Sequence, residues 1–229
     1  MSTTAPTTTD LSLRERFERD GCAVLANWLS AGEVEALRDD CAACLAAAGQ
    51  GSAVSRGCIY ETCAADCTST RFRELRSEAA CALIFGQRLG GLLSEVSENS
   101  QPCLHLLNEQ WIVKPPHCSG SAFAWHRDQE GLGSNTPAYL SVWCALDDVC
   151  EENGTLYILP GSHREEVEMP ADPGGLAVTA DAGCVVLLHS RLLHSSAANI
   201  SGTTRRAWMP QFSTGALAGV KLAIPLQYG

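Results

Sequence analysis

The stretch 183–208, GCVVLLHSRLLHSSAANISGTTRRAW, sets how the second half of the chain is read. Val185–Leu188 is a short apolar run bounded by Gly183 and by His189-Ser190, the pattern of a strand. A polar segment begins at His194, and NISGTT at 199–204 supplies turn residues before RRAW resumes an extended pattern. Working outward, the same pattern recurs in LHLLNEQWIVKPP from Leu104, AYLSVWCALDD from Ala138, TLYILPGS from Thr155 and RRAWMPQFSTG from Arg205. Gly, Pro, Asn and Asp separate these runs, with Asn153-Gly154 and Pro160-Gly161 as tight turns.

The N-terminal third reads differently. Phe17 follows Leu13 at helical spacing, Gly21 ends that helix, and a strand follows. Ser30 with Glu33 three residues on is a capping box for a helix carrying Val34, Leu37, Cys41, Cys44 and Leu45 on one stripe, stopped by Gly49 and Gly51. A second helical stretch is predicted between Thr70 and Glu95, and residues 50–68 read as a loop. Short strands after a helical third predict a mainly β fold, a sandwich or jelly roll with the N-terminal helices packed outside. Residues 1–10 read as a disordered leader and 11–229 as one domain.

Composition narrows the function classes. The chain has 229 residues, 45% of them hydrophobic, which suffices for one large core. Sixteen basic against twenty-six acidic residues give a net charge of -10, which argues against nucleic acid and anionic membranes as partners. No apolar run approaches ~18 residues, the length a membrane span needs. The opening MSTTAPTTTD lacks the apolar centre of a signal peptide. Several of the twelve cysteines (Cys22, Cys144 and Cys184) sit inside apolar runs, so they read as reduced thiols of a cytoplasmic protein. Cys58, Cys63 and Cys67 have no second knuckle to complete a zinc site. A monomer or homodimer is expected.

Among six histidines, His126 stands out in AFAWHRDQEG because Asp128 follows it by two. On an extended strand those two side chains share a face while Arg127 points away. His194, opening the polar segment, supplies a third ligand. Two histidines and a carboxylate on one face of an ion form the facial triad of non-haem iron(II) oxygenases, which leaves positions open for a co-substrate and dioxygen. Arg205 lies eleven residues past His194, and its fork suits the distal carboxylate of a dicarboxylate. Arg206 points the other way and reads as a surface charge. His189 and His163 read as structural.

Taken together, WHRD, ENGTLYILPGSH and HSSAANISGTTRRAW closely resemble the phytanoyl-CoA dioxygenase family over roughly Gln110–Phe212, and FERDGCAVLANWLSAGEVEALRD resembles that family's opening. The resemblance implies a double-stranded β-helix core (jelly-roll or cupin-like), dependence on Fe(II), 2-oxoglutarate and O2, and no catalytic side chain beyond the metal centre. It implies His126, Asp128 and His194 as iron ligands and Arg205 as the partner of the co-substrate C5 carboxylate. Ser196, Trp143, Gln110 and Lys114 are then expected around the co-substrate, and Trp111, Tyr139 and His105 around the substrate. Trp125 and Trp208 fit either a cavity wall or the core, and the loop QEGLGSNTPAY after Asp128, with the segment 50–75, is expected to cover the site. The expected reaction is hydroxylation of a small organic molecule with release of succinate and carbon dioxide. Desaturation or ring closure is the alternative chemistry; a carboxylate at 128 argues against halogenation. The scarcity of basic residues weighs against an acyl-CoA substrate. Competing readings are a non-catalytic metal-binding jelly roll, and a zinc hydrolase, for which Arg205 would have no purpose.

Overall fold

A computed structural model describes residues 11–48, 54–55, 58–62, 76–97, 105–130, 137–164, 174–213 and 224–225. The expected leader, Gly49, Gly51, Cys63, Cys67 and most of the loop after Glu130 lie outside these residues. The helices are α1 (Leu13–Asp20), α2 (Ala31–Ala48), α3 (Glu78–Phe85) and α4 (Gln87–Val96). The strands are β1 (Cys22–Leu25), β2 (Val54–Ser55), β3 (Cys58–Thr62), β4 (His105–Lys114), β5 (Phe123–His126), β6 (Tyr139–Ala145), β7 (Leu156–Ile158), β8 (Leu176–Val178), β9 (Val185–His189), β10 (His194–Ser196), β11 (Arg205–Ser213) and β12 (Ile224–Pro225).

Helix starts follow the local chemistry. Ser12 caps α1 through a reciprocal box with Glu15, and Gly21 closes it in the left-handed region at φ 73°. The Ser30–Glu33 box opens α2 as its spacing predicts. The single stretch expected between Thr70 and Glu95 is two helices: Gly86 is extended (φ -89°, ψ 160°) and breaks them apart. The loop expected over 50–68 instead contains β2 and β3, with β3 pairing antiparallel to β4. The free edge of β4 supplies what that weakly patterned segment lacks by itself.

The strands form two antiparallel sheets. The larger runs β1-β9-β6-β11-β4-β3-β2, with β12 also on β4; the smaller runs β5-β10-β7-β8. Both faces of the large sheet are covered. Trp111, Val113, Leu140, Val142, Val185, Leu187, Trp208 and Phe212 pack against Phe17, Leu37, Ile84, Leu89 and Leu93 of the helices. The alternate residues Trp143, Ala145, Val186, Leu188, Ala207 and Met209 meet Leu156, Ile158 and Val178 of the small sheet. Double coverage explains why β6 is buried along its whole length and reads as an apolar run broken only by Ser141. This is the jelly-roll architecture with outer helices that the sequence predicts.

One buried charge pair sits on the helix side. Arg76 grips Glu109 at 2.6 and 2.8 Å, and the Trp208 indole donates to the same carboxylate at 2.6 Å. Neither charged side chain is more than 2% exposed. Arg76→Met would leave the buried Glu109 carboxylate without its cation. This change is expected to cost about 3–5 kcal/mol, read from urea unfolding; a loss below about 1 kcal/mol would show that water reaches the carboxylate.

Candidate metal and co-substrate site

Three potential ligands converge between the sheets. His126 ends β5, and His194 opens β10 directly opposite it in register. Their rings lie 4.2 Å apart, centre to centre. Asp128 lies in the turn just past β5, so strand alternation does not place it. The turn carries its carboxylate to the two imidazoles: Oδ1 is 3.4 Å from His194 Nε2 and 3.8 Å from His126 Nε2. Among the described residues, these form the group of three or more His, Cys, Asp and Glu side chains whose ligand atoms all come within 4.8 Å of one another.

The donor set fits a divalent ion. Nδ1 of His126 is 2.8 Å from the Ala124 carbonyl, and Nδ1 of His194 is 3.0 Å from the Leu192 carbonyl. Each carbonyl fixes the proton on Nδ1 and leaves Nε2 as the donor turned toward the centre. Oδ2 of Asp128 accepts from Ser141 Oγ at 2.5 Å and from Gln211 Nε2 at 3.2 Å, while Oδ1 faces the imidazoles. The Tyr139 hydroxyl donates to the Asp128 backbone carbonyl at 2.7 Å.

The charges are strongly coupled. Burial pushes the Asp128 carboxyl up, but the His194 hydrogen bond and charge, the Ser141 hydroxyl and the His126 charge outweigh it and hold it down at about 2. Burial pushes His194 down, yet its bond to Asp128 and that carboxylate's charge win and raise it. His126 is lowered, by burial first and then by the neighbouring His194.

The triad opens into a cavity of about 720 Å3, within the usual range for a small-molecule site. Its walls include Gln110, Trp143, Ser196 and Arg205 together with the three ligands. Arg205 is only 1% exposed; its Nη2 donates to the Gly154 carbonyl at 2.7 Å, and its guanidinium lies 5.8 Å from the centre of the Trp143 ring. Gly154 is required there: its φ is 93°, and a Cβ would run into Lys114 and the Ala197 carbonyl. Lys114 stands one layer behind the cavity wall, with Nζ 2.7 Å from Ser196 Oγ and bonded to the Ala197 carbonyl. Tyr139 lines the cavity.

Several expected placements change. Trp111 is fully buried on the opposite face of β4, against Trp208, because alternation turns Gln110 and Ile112 inward and Trp111 outward. Trp208 is core for the same reason. His105, at the far end of β4 opposite Ser213 and Pro225, is not among the cavity's lining residues. Arg127 does not point away: released from strand geometry, it lines the cavity and reaches the Ser162 carbonyl at 3.2 Å. Arg206 does point to the other face, but it is half-buried and grips Asp147 through both prongs rather than standing as a surface charge. His163 and His189 lie ring to ring 5.0 Å apart, tilted by 53°, outside the metal cavity. Cys22, Cys41, Cys144 and Cys184 are buried free thiols. No described helix is long and apolar enough to cross a membrane. Ser141 and Gln211 were not singled out from the sequence, although period-2 spacing from Trp143 and Arg205 marks both as facing inward.

Comparison with known proteins agrees with this geometry. Residues 17–207 match the family model described as Phytanoyl-CoA dioxygenase (PhyH). Phytanoyl-CoA dioxygenase 1 of Oryza sativa subsp. japonica is 26% identical over 140 residues, covering 54% of this chain and 48% of that one. Ectoine dioxygenase of Nocardia farcinica (strain IFM 10152) is 28% identical over 223 residues, covering 81% and 71%. The chain spans about half the length of the rice protein and of several other curated relatives it matches. Among solved structures, the non-heme alpha ketoglutarate dependent carbocyclase SnoK from nogalamycin biosynthesis superposes with a TM-score of 0.71 at 25% identity, covering 91% of this chain and 87% of that one.

In the metal-free chain His194 keeps its proton above its ordinary value of 6.5, and a metal must displace that proton. Affinity for a divalent ion is therefore expected to fall about tenfold per pH unit once pH drops below the raised His194 value, with about one proton released per ion bound. Calorimetry in buffers of different ionisation enthalpy measures this, and an affinity unchanged across that window would contradict the coupling.

Proposed function

The chain belongs to the phytanoyl-CoA dioxygenase family, and on that premise we propose that it is an iron(II)- and 2-oxoglutarate-dependent oxygenase that oxidises a small organic molecule. The observation that carries this reading is the convergence of His126, Asp128 and His194 at one end of a cavity that also holds the buried Arg205. His126, His194 and Oδ1 of Asp128 would hold the iron. Bound there, iron(II) supplies activation of dioxygen, with 2-oxoglutarate as the co-reductant that leaves as succinate and carbon dioxide.

The chain's own residues bind, orient and exclude water. Arg205 meets the far carboxylate of the co-substrate with its guanidinium fork, and the Ser196 hydroxyl donates beside it. Lys114 Nζ donates into Ser196 Oγ, so the hydroxyl proton of Ser196 is left to turn toward the cavity. The Trp143 ring stands 5.8 Å from the Arg205 guanidinium, and Gln110 adds a polar contact from β4. Ile112, Phe123, Leu156, Leu188 and Met209 give the rest of the cavity an apolar lining suited to a carbon skeleton. Arg127 and Glu130, also on the cavity wall, add one charge of each sign. These features favour a compact, partly apolar substrate over an acyl-CoA, whose diphosphate calls for clustered cations. The expected reaction is hydroxylation, and a ring closure or epimerisation would use the same residues.

Succinate formation from 2-oxoglutarate with added iron(II), combined with a mass-spectrometric screen for a gain of one oxygen or a loss of two hydrogens, tests the reading. His126→Ala is expected to abolish turnover. Arg205→Lys keeps the charge but loses the fork, so it is expected to raise KM for 2-oxoglutarate by about ten- to a hundred-fold. Arg206→Lys is expected to leave that KM unchanged. Equal effects at 205 and 206 would refute the assignment of Arg205.

A further inference from the structure

The two oxygens of the Asp128 carboxylate have separate surroundings. Oδ1 faces His126 and His194, whereas Oδ2 is taken up by Ser141 and Gln211. We infer that Ser141 and Gln211 are positioning residues that hold Oδ2 away from the centre, so that Asp128 offers a metal one oxygen only. The inference rests on the metal reading above.

The direction of each hydrogen bond is fixed by the donors available. Gln211 Nε2 lies 2.9 Å from Ser141 Oγ and 3.2 Å from Asp128 Oδ2. An amide nitrogen only donates, so Ser141 Oγ accepts from it and its single proton goes to Oδ2, 2.5 Å away. The opposite amide orientation would set the Gln211 oxygen against a carboxylate oxygen at the same distance, which is repulsive. Both residues are buried, Ser141 at 0% and Gln211 at 6% exposure, so both donors reach Oδ2 from within the protein.

The supports come from a different sheet than the ligands. His126, His194 and the turn bearing Asp128 belong to the small sheet and its extension, whereas Ser141 and Gln211 are neighbours in register on β6 and β11 of the large sheet. Tyr139, two residues before Ser141, grips the Asp128 backbone carbonyl from the same strand. The turn carrying Asp128 is thus pinned across the gap at its main chain and at one carboxylate oxygen. Turning Oδ2 toward the ion would break both of its bonds. It would also consume a coordination position that a chelating co-substrate or dioxygen needs.

The test uses cobalt(II) as a spectroscopic probe on the full chain, with anaerobic iron(II) competition. Ser141→Ala removes the donor to Oδ2, and Gln211→Glu keeps the volume while replacing that donor with an acceptor. Both are expected to weaken cobalt and iron binding about 10- to 100-fold. Both should also change the visible cobalt spectrum in the sense of higher coordination, while the thermal midpoint of the metal-free Ser141→Ala chain stays near that of the wild type. Ser141→Thr keeps the hydroxyl and is expected to restore binding and spectrum. If Ser141→Ala and Gln211→Glu bind cobalt with wild-type affinity and spectrum, the inference is overturned and the metal reading stands. If the wild-type chain itself takes up neither ion, both fall.

Discussion

The pairing register of β10 is the constraint on which the site depends. This three-residue strand lies between β5 and β7, and its first residue, His194, faces His126 across one side and Ile158 across the other. Side chains alternate along a strand, so a slip of one residue would turn His194 out of the cavity and bring Ser195 into its place. The irregularity between His194 and Ser196 then sets Ser196 opposite Phe123. One short strand therefore carries a candidate metal ligand and the hydroxyl expected beside the co-substrate, and the neighbouring strands hold both in place.

The large sheet separates two environments that happen to need opposite charges. Its outer face buries Glu109, neutralised by Arg76 and the Trp208 indole beneath the helices. Its inner face buries Lys114 and Arg205, held by Ser196 and by the carbonyls of Ala197 and Gly154. Buried charges persist only when paired or hydrogen-bonded, and each of these is. In a chain of net charge -10, Arg205 on the cavity wall and Lys114 behind Ser196 place two cations about the same cavity that the Asp128 carboxylate lines.

The turns matter as much as the strands. Asn153-Gly154 reads as a simple tight turn, but its left-handed glycine brings a carbonyl to Arg205 and leaves room for Lys114. The turn after His126 does similar work for Asp128. Both are places where the backbone leaves regular geometry, and regular geometry is what a periodic reading of sequence detects.

The sequence by itself determined the β class, the helix that Gly21 ends, the capped helix at Ser30, and the family. It also marked His126, Asp128, His194 and Arg205, because period-2 runs, capping boxes and short motifs are local and survive in one dimension. Inward-facing residues were legible too: Trp143 implies Ser141, and Arg205 implies Gln211, by counting in twos. Only the tertiary structure decided that Trp111 and His105 stand away from the cavity and that Arg127 lines it. It alone showed that β3 completes the sheet beside β4 and that Arg206 binds Asp147. Each of these depends on which strand edge or helix arrives opposite, and a contact between residues far apart in the chain leaves no periodic trace in either segment. The divided carboxylate of Asp128 is the clearest case, since its two halves are set by different sheets.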